Sequence, residues 1–190
     1  MEAHIDLAIG YCWAALGALW LLGMAFTKRV VRSQPAGPRV FGVAVAFLGF
    51  ALLGKQWFRY GWLAERFVPE TQAILMAGLV LTIGGCLFAG WARVALGGNW
   101  SGRATVKENH ELIVRGPYAW VRHPIYTGLL VAVAGTALAQ GEWRSAAGVG
   151  VIFLAFAMKM SQEERLMMQT FPQEYPGYRR RVKALIPGVF

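Results

Sequence analysis

The stretch VRGPYAWVRHPIYTGLLVAVAGTALA, residues 114–139, changes character halfway along. Its first half holds Arg115, Arg122, His123, two prolines and three aromatics, whereas its second half is almost pure hydrocarbon. Pro124 sits where a helix tolerates a missing N–H, so Arg122 and His123 fall at a helix N-terminus. Free backbone N–H groups there favour an anion. The stretch predicts a polar site built against the start of an apolar helix.

The rest of the chain sets that helix in a membrane. Of 190 residues, 56% are hydrophobic and only 15% charged, with mean hydropathy +0.43, too apolar for an ordinary soluble domain. The formal charge is +9. Its cations lie between long apolar runs, which points to basic loops of a membrane protein and away from nucleic acid. Cys12 and Cys86 both lie inside apolar segments, so no disulfide framework is expected. The start MEAHID is acidic and the first apolar run is long, so that run reads as a membrane helix and not as a cleavable signal.

About 20 apolar residues cross a bilayer core as a helix. Five spans are expected: Leu7–Phe26, Val40–Leu53 with an extension towards Trp57, Gln72–Leu96, Ile125–Ala139 and Ala146–Met160. The last two are short, reaching only ~22 Å at about 1.5 Å per residue, and form a helical hairpin. Its outer ends, near Tyr126 and Lys159, emerge on one side. Fifteen cations flank that side of the spans against four on the other (Lys55, Arg59, Arg66 and Arg144). The positive-inside rule then puts the third loop and the tail in the cytoplasm and the N-terminus outside. Gly42/Ala46, Gly128/Ala132 and Gly135/Ala139 are small residues four apart, which lets helices approach closely. There is no strand followed by GxGxxG, so a soluble Rossmann site is absent.

Two polar, aromatic pieces can cover one site, residues 97–126 and 159–187. In the first, KENHELIVRGPY gives His110 and Glu111, a short extended run Leu112–Val114 and a Gly-Pro turn. In the second, Lys159 and Glu163 are four apart on one helix face, with Glu164 beside them. A cation and two carboxylates at the membrane boundary suit a zwitterionic ligand. Each residue also has a plainer reading. Arg115 and Arg122 fit cations that snorkel to headgroups. His123 fits a structural histidine, and Lys159/Glu163 a surface ion pair. Arg179–Arg181 and Lys183 fit a contact with anionic lipid. No HxH, HxxxH or CxxC spacing supports a metal, and no Ser/His/Asp set stands out.

Taken together, NWSGRATVKENHELIVRGPYAWVRHPIYTG, a helical hairpin, and KMSQEERLMMQTFPQEYPGYRRRVKALIP resemble the isoprenylcysteine carboxyl methyltransferase family. Related patterns occur in membrane phospholipid N-methyltransferases and in the C-terminal part of sterol reductases. The resemblance covers roughly residues 93–187, dividing the chain into N-terminal membrane helices (1–92) and a methyltransferase-like half (93–190). It implies an all-α integral membrane bundle that binds S-adenosylmethionine at a cytoplasmic face. It also implies a lipid or prenylated substrate arriving from the bilayer, and no nucleic-acid partner.

Carried over, the resemblance has His110, Glu111, Leu112 and Ile113 line the adenosine with Tyr118 beside them. His123, Pro124, Ile125 and Tyr126 hold the cofactor's amino-acid end, and Glu163 takes a hydroxyl or ammonium. Arg103 occupies a cofactor-contact position where the family has an uncharged polar residue. Lys159 falls where the family meets the substrate carboxylate, with Arg122 near it. No general base is assigned, because a carboxyl with pKa of about 3.5 is already ionised at neutral pH. An amine acceptor would have to lose a proton first. A cation at Lys159 repels an ammonium headgroup, so a carboxylate acceptor is expected. A phospholipid N-methyltransferase is the alternative, ahead of a non-catalytic lipid-binding protein and a nicotinamide-dependent reductase.

Overall fold

The computed structural model describes residues 2–27, 30–33, 36–54, 58, 60–100, 105–107 and 111–189, with backbone only at 30–33, 36–39 and 105–107. The described chain is a helical membrane bundle: α1 (Glu2–Met24), α2 (Ala36–Leu53), α3 (Gln72–Leu96), α4 (Pro124–Gln140), α5 (Trp143–Thr170) and the short α6 (Tyr175–Arg181). Two strands, β1 (Val30–Ser33) and β2 (Thr105–Lys107), pair antiparallel and tie the α1–α2 loop to the loop after α3. Neither strand follows from the hydropathy or spacing of the sequence. Among the described residues the extended run expected at Leu112–Val114 has no strand partner, and the residues that pair are Val30, Arg32 and Ser33 with Lys107, Val106 and Thr105.

Among the described residues three helices are long and apolar enough to cross a membrane: α1, α3 with its trailing turn to Asn99, and α5. Val40–Leu53 and Pro124–Gln140 are shorter apolar helices. Large apolar side chains such as Leu21, Phe26, Phe47, Leu87 and Val94 point outward, more than 60% exposed, as a hydrocarbon solvent requires. The chain is an integral membrane protein.

Helix limits follow local chemistry. Thr71 caps α3 by accepting from the Ile74 N–H at 3.3 Å. Pro124 occupies the first turn of α4, as expected, and Gly141 ends it in the left-handed region at φ 66°. The fifth span differs most from expectation. It runs 28 residues to Thr170, about 42 Å at 1.5 Å per residue, so Lys159, Glu163 and Glu164 lie within the helix and not at its end. Hydropathy falls after Met160 but helicity does not, because Glu163 pairs back onto Lys159 and Leu166 remains buried. The second helix stops at Leu53, and Trp57 lies outside the described residues.

The core is built on backbone contact between α3 and α4. A Cβ on Gly85 would lie 2.4 Å from Ala132 N, and one on Gly128 2.5 Å from Ala89 N. Gly78 and Gly135 meet in the same way, each within 2.7 Å of the other's carbonyl oxygen. Gly128/Ala132 and Gly135/Ala139 therefore pack as small residues in membranes do. Gly42 does not: a Cβ there meets nothing within 4 Å. Inside this seam Thr82 donates to the Gly78 carbonyl at 2.9 Å, Thr136 to Ala132 at 2.9 Å, and Trp13 of α1 donates to Thr136 at 3.1 Å.

Three arginines counted as topological charges act instead as caps on other helices. Arg93 is buried, donating to the Gly23 carbonyl at the end of α1 (2.6 Å) and to Gly97 (3.0 Å). Arg144, fully buried, donates to the Leu52 and Gly54 carbonyls at the end of α2. Arg66 donates to the Gln140 carbonyl at the end of α4, 3.0 Å away. The last carbonyls of a helix lack partners and carry partial negative charge, so a guanidinium satisfies both needs.

Candidate functional site

The start of α4 and the C-terminal third of α5 lie side by side, and their polar residues interlock. The Tyr126 hydroxyl donates to Glu163 at 2.7 Å. Lys159 Nζ lies 3.8 Å from the same carboxylate and 5.6 Å from the Tyr126 ring centre. His123 stacks on Tyr126 at 5.6 Å and places Nδ1 3.7 Å from Glu163 and Nε2 3.2 Å from Glu164. Consecutive glutamates on α5 thus serve the two sides of one imidazole.

Arg122 faces the other way round this cluster. Its Nε and Nη2 donate to Glu164 at 3.0 and 2.6 Å, while Nη1 donates to the carbonyls of Arg179 (3.2 Å) and Val182. Those carbonyls end α6, making Arg122 a fourth helix-capping arginine. Arg179 adds a contact to Glu164 at 3.2 Å. The chain after α6 is then strapped on: Arg122 N–H donates to Lys183, His123 N–H to Ala184, and the Thr127 hydroxyl to Leu185. From α6 the Tyr178 hydroxyl donates to the Tyr118 carbonyl at 2.6 Å.

These elements enclose a cavity of about 260 Å³, close to the lower end of the ~300–1,000 Å³ range of small-molecule sites. Glu111, Leu112, Ile113 and Tyr118 form one part of its lining, and Arg122, His123, Ile125 and Tyr126 another. Lys159 and Glu163 join them from α5. Pro124 is fully buried behind the wall and sets the turn that presents its neighbours. His110 and Arg103 lie outside the described residues.

The cavity also takes residues that the sequence reading did not single out. Trp20 reaches it from α1, and Leu96, Asn99 and Trp100 from the end of α3. Leu129, Phe156, Leu166 and Met167 give an apolar side, and Tyr175 and Tyr178 close it from α6. The two tyrosines, three apart before a basic run, carried the available signal, being placed to share one face of a helix. Trp20 had none, since nothing local links residue 20 to residue 100.

Burial holds the phenols protonated. It pushes Tyr118 well above the usual phenol range, with the charge of Glu163 adding to it. Tyr178 is pushed up to about 12, against the opposing pull of Arg122, and Tyr175 rises for the same reason of burial. The site therefore offers neutral O–H groups, two carboxylates, one ammonium and an imidazole beside an apolar wall. That donor set fits a small zwitterionic cation together with the polar end of a lipid.

The comparisons with known proteins agree with this setting. Residues 76–169 match the model of the isoprenylcysteine carboxyl methyltransferase family. The protein-S-isoprenylcysteine O-methyltransferase of Schizosaccharomyces pombe is 32% identical over 99 residues, covering 50% of this chain and 42% of that protein. A probable protein-S-isoprenylcysteine O-methyltransferase of Oryza sativa subsp. indica is 30% identical over 125 residues, covering 64% of this chain and 65% of its own. The chain thus spans less than two thirds of either relative. The solved structure of the eukaryotic intramembrane Ras methyltransferase ICMT shares the fold, with a TM-score of 0.56 at 22% identity over 82% of this chain and 55% of that one.

Proposed function

We propose that this chain, whose residues 76–169 match the model of the isoprenylcysteine carboxyl methyltransferase family, is an S-adenosylmethionine-dependent membrane methyltransferase that esterifies an isoprenylcysteine or related lipid carboxylate. One observation carries this reading: Lys159, Glu163, His123 and Tyr126 line a single cavity whose other wall is hydrocarbon. A charged, water-soluble donor and a lipid acceptor can meet only at such a seam. S-adenosylmethionine, when bound, supplies an electrophilic methyl group on a sulfonium.

The chain's residues do the rest. Glu111 and Glu163 offset the donor's positive charge, and His123 and Tyr126 hold its amino-acid end. Leu112, Ile113 and Tyr118 pack against the nucleoside, with His110 and Arg103 assigned to the same ligand by the family pattern. Lys159 orients the acceptor carboxylate, which is ionised at neutral pH and needs no general base. Phe156 and Leu129 exclude water from the reacting atoms, so catalysis rests on placement and desolvation. The protein crosses the bilayer five times with this face in the cytoplasm and the N-terminus outside. Residues 1–92 supply the N-terminal membrane helices, about three spans, and 93–190 the methyltransferase-like half with the helical hairpin, whose cavity Trp20 reaches from the first.

A phospholipid N-methyltransferase is the second reading, favoured by the carboxylates of Glu111 and Glu163, which would attract an ammonium headgroup. The test is incubation with methyl-labelled S-adenosylmethionine, membrane lipids and a farnesylated cysteine analogue, followed by base. Label released as methanol identifies a carboxyl ester, and label retained on a base-stable amine identifies the phospholipid activity. No transfer to either overturns the proposal.

A further inference from the structure

Asn99 is the cavity residue that local packing does not explain. It sits in the turn Gly97–Asn99 after α3, is only 9% exposed, and its Oδ1 has no hydrogen-bond partner among the described residues. Burying such a group without a partner costs about 1–3 kcal/mol, and among the described residues Asn99 is the cavity-lining residue that carries one. The turn is held firmly. Arg93 donates to the Gly97 carbonyl at 3.0 Å and lies 4.5 Å over the Trp100 ring, while also fixed to Gly23 on α1. Asn99 is thus clamped at the cavity wall between Leu96 and Trp100, with Trp20 edge-on to Trp100 at 6.3 Å.

An asparagine amide offers an acceptor beside a donor, the complement of an adenine's amino edge, which presents an N–H beside a ring nitrogen. Flat apolar and indole surfaces flank it, as a heterocycle needs. Resting on the reading of the cavity as a cofactor site, we propose that Asn99 is a specificity-determining residue that accepts a hydrogen bond from the exocyclic amine of the bound nucleoside.

A ligand-reading residue and a structural one respond differently to removal. Asn99→Leu removes a buried group that is unsatisfied in the ligand-free protein, so the free variant should melt at or above the wild-type temperature. Its affinity for S-adenosylhomocysteine should fall about tenfold, the worth of one buried hydrogen bond. The probe pair is S-adenosylhomocysteine and S-inosylhomocysteine, whose purine carries a carbonyl in place of the amine. Wild type should prefer the adenosyl compound by about tenfold, and Asn99→Leu should bind both alike. A ligand-free variant that melts below wild type makes Asn99 structural and overturns the inference. Equal discrimination in wild type and variant also overturns it. If wild type binds neither compound, the cofactor reading itself fails, and the melting comparison still tells whether the amide is structural.

Discussion

Replacing Arg122 by methionine should release the C-terminal strap without unfolding the bundle. The guanidinium, on a side chain 9% exposed, gives two hydrogen bonds to Glu164 and two to the last carbonyls of α6. Removing one member of a buried ion pair costs about 3–5 kcal/mol. His123 and Arg179 still face Glu164 after the substitution, which places the effect near the lower bound, about 3 kcal/mol. A loss of that size raises the population with α6 detached by about 150-fold, at about 1.4 kcal/mol per factor of ten. Hydrogen exchange reads it directly. Amides of residues 175–185, with Arg122 and His123 N–H opposite them, should exchange roughly a hundredfold faster, while the Gly78–Ala89 seam of α3 keeps its protection. Lysine at 122 should not restore protection, because a single ammonium cannot reach carboxylate and carbonyls in the same planar fork. Unchanged exchange at 175–185 in the methionine variant would refute the latch and return Arg122 to the headgroup-snorkelling role.

Gly128→Val should lower the melting temperature in detergent, because its Cβ lands 2.5 Å from Ala89 backbone and overpacking costs about 1–3 kcal/mol. Gly42→Val, in open space, should leave it nearly unchanged, and equal losses at both sites would contradict the helix seam. The phenols set an alkaline limit. Tyr178 has a folded pKa raised to about 12, so its contribution to stability is complete below pH ~10 and is lost as the pH rises from there through about 12. Trypsin cleavage near Arg179–Arg181 should therefore accelerate across that window. Tyr178→Phe, which cannot ionise, should show a smaller acceleration; an identical profile would exclude this tyrosine as the cause.

Much of the fold was legible because a bilayer imposes it. Runs of about 20 apolar residues predict the helices through length alone, and Pro124 with Gly141 marks the limits of α4 through chemistry confined to single residues. Part of the cavity lining was legible in the same way. Glu111–Ile113, Tyr118, Arg122–Tyr126, Lys159 and Glu163 lie in two polar pieces that a helical hairpin must bring together. The pair Lys159/Glu163 follows from helical spacing without any tertiary knowledge.

The long-range pairings were not legible, because they depend on which ends meet. Arg93, Arg144, Arg66 and Arg122 look alike in sequence, as cations near the ends of apolar runs. Only the folded bundle sets each against the carbonyls of a different helix. The β1–β2 ribbon joins residues more than seventy apart, and Trp20 enters the cavity because α1 packs on α3. Hydropathy and periodicity are local quantities, so they determined the helices and the polar seam. The partner of each buried charge, and the unsatisfied amide of Asn99, were decided by tertiary packing, where a desolvated polar group must find its complement across space.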